Sequence, residues 1–179
     1  MIGIFLAEGF EEVEALTVCD ILRREKIDVK LVSVTDEAVV KGAHGILVAA
    51  DETIEKFDFD SADMLVLPGG MPGTNNLQDT KKLTDEILKA NDEGKYIAAI
   101  CAAPKVLGAL GILKGKKCTI YPGMEDYLIG GKPKKDEVVL DGNIITSRGP
   151  GKAMAFALAI VEILKGKDIR KKLEKDLVL

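Results

Sequence analysis

The sequence predicts an α/β fold in which a mainly parallel sheet is doubly wound, with helices on both faces. Three observations carry that expectation. Short runs rich in β-branched residues alternate with longer stretches whose apolar residues recur every three or four positions, the rhythm of strand–helix–strand crossovers. Two of the short runs, Met64 to Leu67 and Ile97 to Ile100, are apolar without interruption, as strands covered on both faces are. The 179 residues, 47% of them apolar, suffice for one sizeable core, and no Pro/Gly/Ser-rich linker interrupts residues 1–179, so a single domain is expected.

In chain order, Ile2 to Leu6 reads as the first strand. Glu12 to Arg24 follows as a helix, with Val13, Leu16, Thr17 and Ile21 on one face. Val29 to Val34 is a second strand. Val39-Val40 and Ile46-Leu47-Val48 flank Gly42 and Gly45 and read as a small hairpin appended to the sheet. After the strand Met64 to Leu67, the residues Leu83, Ile87 and Ala90 give Thr80 to Glu93 a helical face, and Ile97 to Ile100 is the next strand. Val138 to Leu140 and Ile144 to Thr146, separated by Asp141-Gly142-Asn143, read as a second hairpin. A buried helix runs from Pro150 to Leu164, and Gly166 marks its stop.

Composition removes several function classes. Lys and Arg number 25 against 29 Asp and Glu, a net charge of -4, without the basic excess that phosphate-backbone binding requires, so nucleic acid is not an expected partner. No apolar run approaches the ~20 residues of a membrane span, and no leader-like segment precedes Ile2, so a cytoplasmic, membrane-free protein is expected. The cysteines, Cys19, Cys101 and Cys118, are odd in number and widely spaced, and His44 is the only histidine. Neither a disulfide framework nor a metal site is expected.

Cys101 is the centre of the chemistry read from the residues. Ile97-Ala98-Ala99-Ile100-Cys101-Ala102-Ala103-Pro104 passes from strand to helix, with Pro104 suited to a first helical turn, and this places Cys101 at a helix N-terminus where thiolate is favoured over thiol. Such elbows lie at the carboxyl ends of parallel strands, where α/β proteins bind ligands. Cys19, inside an amphipathic helix, and Cys118, beginning a strand, read as core residues.

Leu67-Pro68-Gly69-Gly70-Met71-Pro72-Gly73 is a glycine-rich turn after another buried strand. Its N–H groups could line an oxyanion site, or its glycines could serve only the turn. It is neither a phosphate loop nor a dinucleotide fingerprint, and no cofactor is expected. The acidic run Glu8 to Glu14 opens the first helix; its members complement the helix dipole, and one of them could face the crevice of Cys101. His44, in the hairpin, is the only histidine available for a Cys–His dyad and otherwise reads as an exposed loop residue.

Together, Glu11-Glu12-Val13-Glu14, Leu67-Pro68-Gly69-Gly70, Ala98-Ala99-Ile100-Cys101-Ala102 and Thr146-Ser147-Arg148-Gly149-Pro150-Gly151 resemble, in that order, the motifs of the ThiJ/PfpI family, also called the DJ-1 superfamily. The likeness spans essentially the whole chain and is greatest to the DJ-1 branch. It implies a flavodoxin-like three-layer αβα sandwich, a homodimer, and a nucleophile elbow bearing Cys101. It also implies that Glu14 is the acid beside the sulfur, protonated and donating to the thiolate, and that the Gly70 and Ala102 N–H groups form the oxyanion pocket. In PfpI-type proteases a histidine follows the nucleophile; Ala102 stands there in this chain, which argues against peptidase activity. The family's usual active-site histidine precedes a proline, and here Tyr121-Pro122 fills that place. Tyrosine can donate a hydrogen bond but is a poor base near neutrality. His44 lies on the segment that in the family approaches the partner subunit's site, which makes it a candidate for the missing histidine in trans.

The resemblance thus implies a stress-response protein acting on 2-oxoaldehydes or on glycated protein and other adducts, as a glyoxalase or deglycase does. The alternatives are a redox sensor or chaperone working through Cys101 sulfinate, and a plain flavodoxin-type binding module.

Overall fold

The computed structural model describes residues 1–179. Its centre is a seven-stranded sheet of β1 (Ile2–Leu6), β2 (Val29–Ser33), β5 (Glu52–Thr53), β6 (Met64–Leu67), β7 (Tyr96–Ile100), β10 (Val138–Asp141) and β11 (Ile144–Ser147), in the spatial order β10-β11-β7-β6-β1-β2-β5. Every neighbouring pair is parallel except the hairpin β10–β11. The mainly parallel doubly wound sheet expected from the sequence is therefore the fold.

Two apolar cores, one on each face, explain why the strands read as unbroken apolar runs. Ile2, Ile4 and Leu6 of β1, Met64 and Val66 of β6, and Ala98 and Ile100 of β7 face the first core. The alternate residues Phe5, Leu65, Leu67, Ile97 and Ala99 face the second. The first core is closed by α1 (Glu12–Arg24) and α5 (Ala153–Lys165), which contributes Phe156, Ala157, Ile160 and Val161. The second is closed by α2 (Gly73–Asp79), α3 (Lys81–Asp92) and α4 (Pro104–Ala109).

Outside the sheet, β3 (Val39–Lys41) and β4 (Leu47–Ala49) form the expected hairpin as a separate antiparallel pair. The two-residue strands β8 (Lys117–Cys118) and β9 (Lys132–Pro133) pair beside β11. The expected last helix begins as a 3-10 turn at Pro150–Lys152 and becomes α-helical at Ala153. Gly166 (φ 90°) ends α5 as expected, but a further helix, α6 (Lys167–Asp176), starts at once and lays Leu173 into the first core.

Candidate active site

The carboxyl ends of β1, β6, β7 and β11 converge on Cys101. The expectation of a helix terminus at this residue is corrected: α4 starts three residues later, at Pro104, with Ala103 as its cap. Cys101 instead occupies the left-handed region at φ 62°, a conformation that costs a non-glycine residue ~1–3 kcal/mol and persists only where neighbours hold it. Two hydrogen bonds do so. The Cys101 N–H donates to the Ser147 carbonyl of β11 (3.0 Å), and the Cys101 carbonyl accepts the Tyr121 N–H (2.9 Å).

Glu14 lies on the inward face of α1, wholly buried, with its carboxyl against the Cys101 thiol. Its Oε2 accepts the Gly69 N–H at 2.7 Å, while Oε1 is buried without a hydrogen-bond partner. Gly69 has to be glycine. A Cβ there would lie 2.6 Å from the Cys101 Cβ and 2.8 Å from Glu14 Oε2. Gly70 (φ 90°) follows, and its N–H and that of Ala102 favour negative charge on the Cys101 sulfur. Gly69 and Gly70 thus meet the close approach and the positive φ that the tight turn requires.

Burial pushes the Glu14 carboxyl up to about 7, the nearby Glu11 charge adding to it and the Gly69 N–H opposing it. Burial, then the charge of Glu14, push the Cys101 thiol up to about 12, opposed by the Ala102 and Gly70 N–H groups. This replaces the expectation that a helix end alone lowers the thiol. Cys101 and Glu14 form a coupled pair that repels a second negative charge, so between about 7 and about 12 it carries one.

The other expected residues divide. Tyr121 is at the site through its backbone; its side chain is 47% exposed and its ring lies over Gly149. His44 is not brought to the Cys101 of its own chain. It sits at the tip of the β3–β4 hairpin with Nδ1 2.9 Å from Glu12 Oε2, and its N–H donates to Glu12 Oε1 at 2.8 Å. The buried clasp by Glu12 is a role the sequence reading missed, having left all but one of these acids to solvent and the dipole. Burial works against the charge of Glu12, but the hydrogen bonds from His44 and Ile46 outweigh it and hold the carboxyl below its ordinary value. The same contact raises His44. Glu11, Glu12 and His44 could between them offer three ligand atoms to a metal ion, though each Glu12 oxygen already has a protein partner.

The sequence model of the DJ-1/PfpI family matches residues 1–163. The chain belongs to that family. As a DJ-1/PfpI member it is 38% identical over 178 residues to the protein dj-1beta of Drosophila melanogaster, covering 98% of this chain and 95% of that one. It is 36% identical over 161 residues to the deglycase PfpI of Pyrococcus furiosus, covering 89% and 96%. Among solved structures, that of oxidized Toxoplasma gondii DJ-1 superposes with a TM-score of 0.95 at 35% identity, covering 99% and 97%. These DJ-1 neighbours share the flavodoxin-like fold. No helix of the chain is long and apolar enough to cross a membrane.

Proposed function

We propose that the protein is a cysteine-dependent enzyme acting on 2-oxoaldehydes and on the adducts they form with amino and thiol groups. The observation that carries this reading is the buried Cys101–Glu14 pair, with the Gly70 and Ala102 N–H groups favouring charge on the sulfur. The charge can pass to sulfur by transfer of the Cys101 proton to Glu14. A carboxylate here would have one N–H donor and an unpartnered buried oxygen, whereas a thiolate has two N–H donors and the carboxyl proton.

The thiolate adds to the aldehyde carbon; the C–S bond forms and the carbonyl π pair moves to oxygen, which takes up the Glu14 proton. The resulting carboxylate removes the hydrogen from the same carbon and returns it to the neighbouring keto carbon through an enediol. The product is the thioester of a 2-hydroxy acid, and water cleaves it, freeing the thiol. Net, methylglyoxal and one water become lactic acid, with no external oxidant or reductant. A proton carrier near 7 suits transfers in both directions at neutral pH. The Gly70 and Ala102 N–H groups support the developing oxyanion, and the deglycase-named relative supports the substrate class. Incubation with methylglyoxal is expected to yield lactate, and Cys101→Ala to abolish it; absence of lactate from the unaltered protein overturns the reading.

A second reading draws on the same pocket and on the oxidized form in which the Toxoplasma gondii relative was solved. Two successive peroxide oxidations, each transferring one oxygen and releasing water, convert Cys101 to sulfinate, which the N–H donors and Glu14 would hold. Intact mass after mild peroxide should show two added oxygens on Cys101 alone, and Glu14→Leu should lose that selectivity. Oxidation spread equally over the three cysteines counts against it.

We further propose a cytoplasmic homodimer. Val13 and Leu16 of α1 and Val39, Ile46 and Leu47 of the hairpin are exposed apolar residues that a second copy could cover. Val13→Glu/Leu47→Glu should sediment as a monomer, and an unaltered protein already monomeric at micromolar concentration would refute it.

A further inference from the structure

A single histidine argues from the sequence against a metal site, but folding brings two carboxylates to it. Glu11 precedes α1 in extended backbone (φ -79°, ψ 114°) and Glu12 is the first residue of the helix, while His44 stands at the tip of the β3–β4 hairpin. Main-chain bonds lash the two segments together. The Gly9 N–H donates to the Lys41 carbonyl and the Ala43 N–H to the Phe10 carbonyl, both at 2.8 Å. Glu11 is fixed in turn by its own N–H, which donates to the Gly69 carbonyl at 2.9 Å. The hairpin closes directly on the second acid, since a Cβ at Gly42 would collide with the Glu12 carboxyl. Segments held by their backbones lose little freedom when their side chains gather round an ion.

The three residues offer one nitrogen and two carboxylate oxygens within 4.8 Å of one another. His44 Nδ1 is 2.9 Å from Glu12 Oε2 and 3.7 Å from Glu11 Oε2. Tetrahedral zinc, with bonds of ~2.0–2.2 Å to imidazole and carboxylate, sets its ligand atoms about 3.3–3.5 Å apart, between the two observed separations. The Glu11 side chain is only 12% exposed, yet its carboxylate accepts no hydrogen bond. Two carboxylates against one imidazole leave negative charge in excess even when the ring is protonated, and a divalent ion removes that excess. Glu12 Oε1 is taken by the His44 and Ile46 N–H groups, but Oε2 meets only the His44 ring. An ion that replaces the proton on Nδ1, releasing it to solvent, joins ring and carboxylate while Oε1 keeps its donors. An open crevice of about 450 Å³, bounded by these three residues with Val13, Ile46 and Pro150, leaves a fourth position to water.

We propose that Glu11, Glu12 and His44 bind a divalent ion of the zinc class, pinning the hairpin to the start of α1. One nitrogen and two oxygens suit zinc. Calcium takes about six to eight oxygens, magnesium keeps an octahedron of oxygens, and no thiolate is present to select copper(I). The site is separate from the elbow, where Glu14 turns its carboxyl to Gly69 and the sulfur, and it does not depend on what Cys101 does.

The test is equilibrium dialysis of tag-free protein against zinc chloride, read by elemental analysis and made in Cys101→Ala so that the thiol takes no part. About one zinc per chain should be retained against excess magnesium. His44→Asn and Glu11→Gln, each in the same background, should weaken binding at least about ten-fold. Both should fold, because the His44 ring is exposed and the Glu11 carboxylate accepts no hydrogen bond; Glu12 is left in place because it anchors the hairpin. Cobalt(II) in place of zinc supplies a spectroscopic arm, and should show the strong visible bands of a four-coordinate ion without thiolate charge-transfer absorption. Absence of bound zinc in Cys101→Ala, equal binding in all three proteins, or a cobalt spectrum like that of the free ion overturns the proposal.

Discussion

Glu12 and Glu14 lie two residues apart on one helix, both buried, and their surroundings treat them oppositely. At the hairpin clasp, Glu12 meets the His44 ring and N–H and the Ile46 N–H, and stays charged more readily than an ordinary carboxylate. At the elbow, Glu14 receives one N–H, leaves one oxygen unpartnered and faces a sulfur, and it holds its proton up to about 7. Burial pushes both carboxyls upward; at Glu14 it prevails, and at Glu12 the donors together outweigh it. One site therefore serves as an anchor and the other as a proton reservoir.

Four substitutions break or sharpen that contrast. Cys101→Ala should have the largest effect, removing product formation from methylglyoxal by at least about a thousand-fold, since no other group in the site can form the covalent bond. Next, Glu14→Gln should shift the midpoint of Cys101 alkylation, because the neighbouring carboxyl and its charge are gone while burial remains. An unmoved midpoint would show that the two groups do not share a charge. The same variant should change the pH dependence of unfolding. Because the folded-state value of Glu14 is raised, its burial costs nothing below pH ~4.5, a growing amount between 4.5 and 7, and about 3 kcal/mol above 7; urea titrations should show that loss in the unaltered protein and not in Glu14→Gln.

Glu12→Gln should cost about 1–3 kcal/mol at pH 7, through weakened charge-assisted bonds to the hairpin, with amide exchange rising first at His44 and Ile46. Here the folded-state value is lowered, so the contribution is present above the ordinary carboxylate value and fades as pH falls through the lowered one. Smallest is His44→Asn, expected to change turnover less than about two-fold, because in its own chain the ring binds Glu12 and not the elbow. A ten-fold loss of turnover would instead support a role for His44 in a partner's site.

Much of the fold was legible because two-sided burial forces apolar residues into every position of β1, β6 and β7, a pattern solvent-facing segments cannot imitate. The elements that escaped lack such a pattern. α2 reads Gly-Thr-Asn-Asn-Leu-Gln-Asp, the strands β5 and β9 are two residues long, and α6 buries only Leu173 among charges. In the site, the meeting of Glu14, Gly70 and Cys101 came from family motifs, and spacing alone left the choice of acid open. The left-handed backbone of Cys101 had no local signal at all, since nothing in Ile-Cys-Ala favours it; segments 20 and 46 residues downstream impose it.

That imposed conformation makes the nucleophile an internal gauge of assembly. Its N–H is held by the end of one strand and its carbonyl by the segment that carries Tyr121, so loosening either lets the peptide relax toward an ordinary dihedral and swings the sulfur off Glu14 and its donors. The central strands can stay paired while this happens, because their hydrogen bonds lie deeper in the sheet. Chemistry at Cys101 should therefore fade on heating before the secondary structure does, and a fully reactive thiol certifies that three distant stretches of chain are correctly joined.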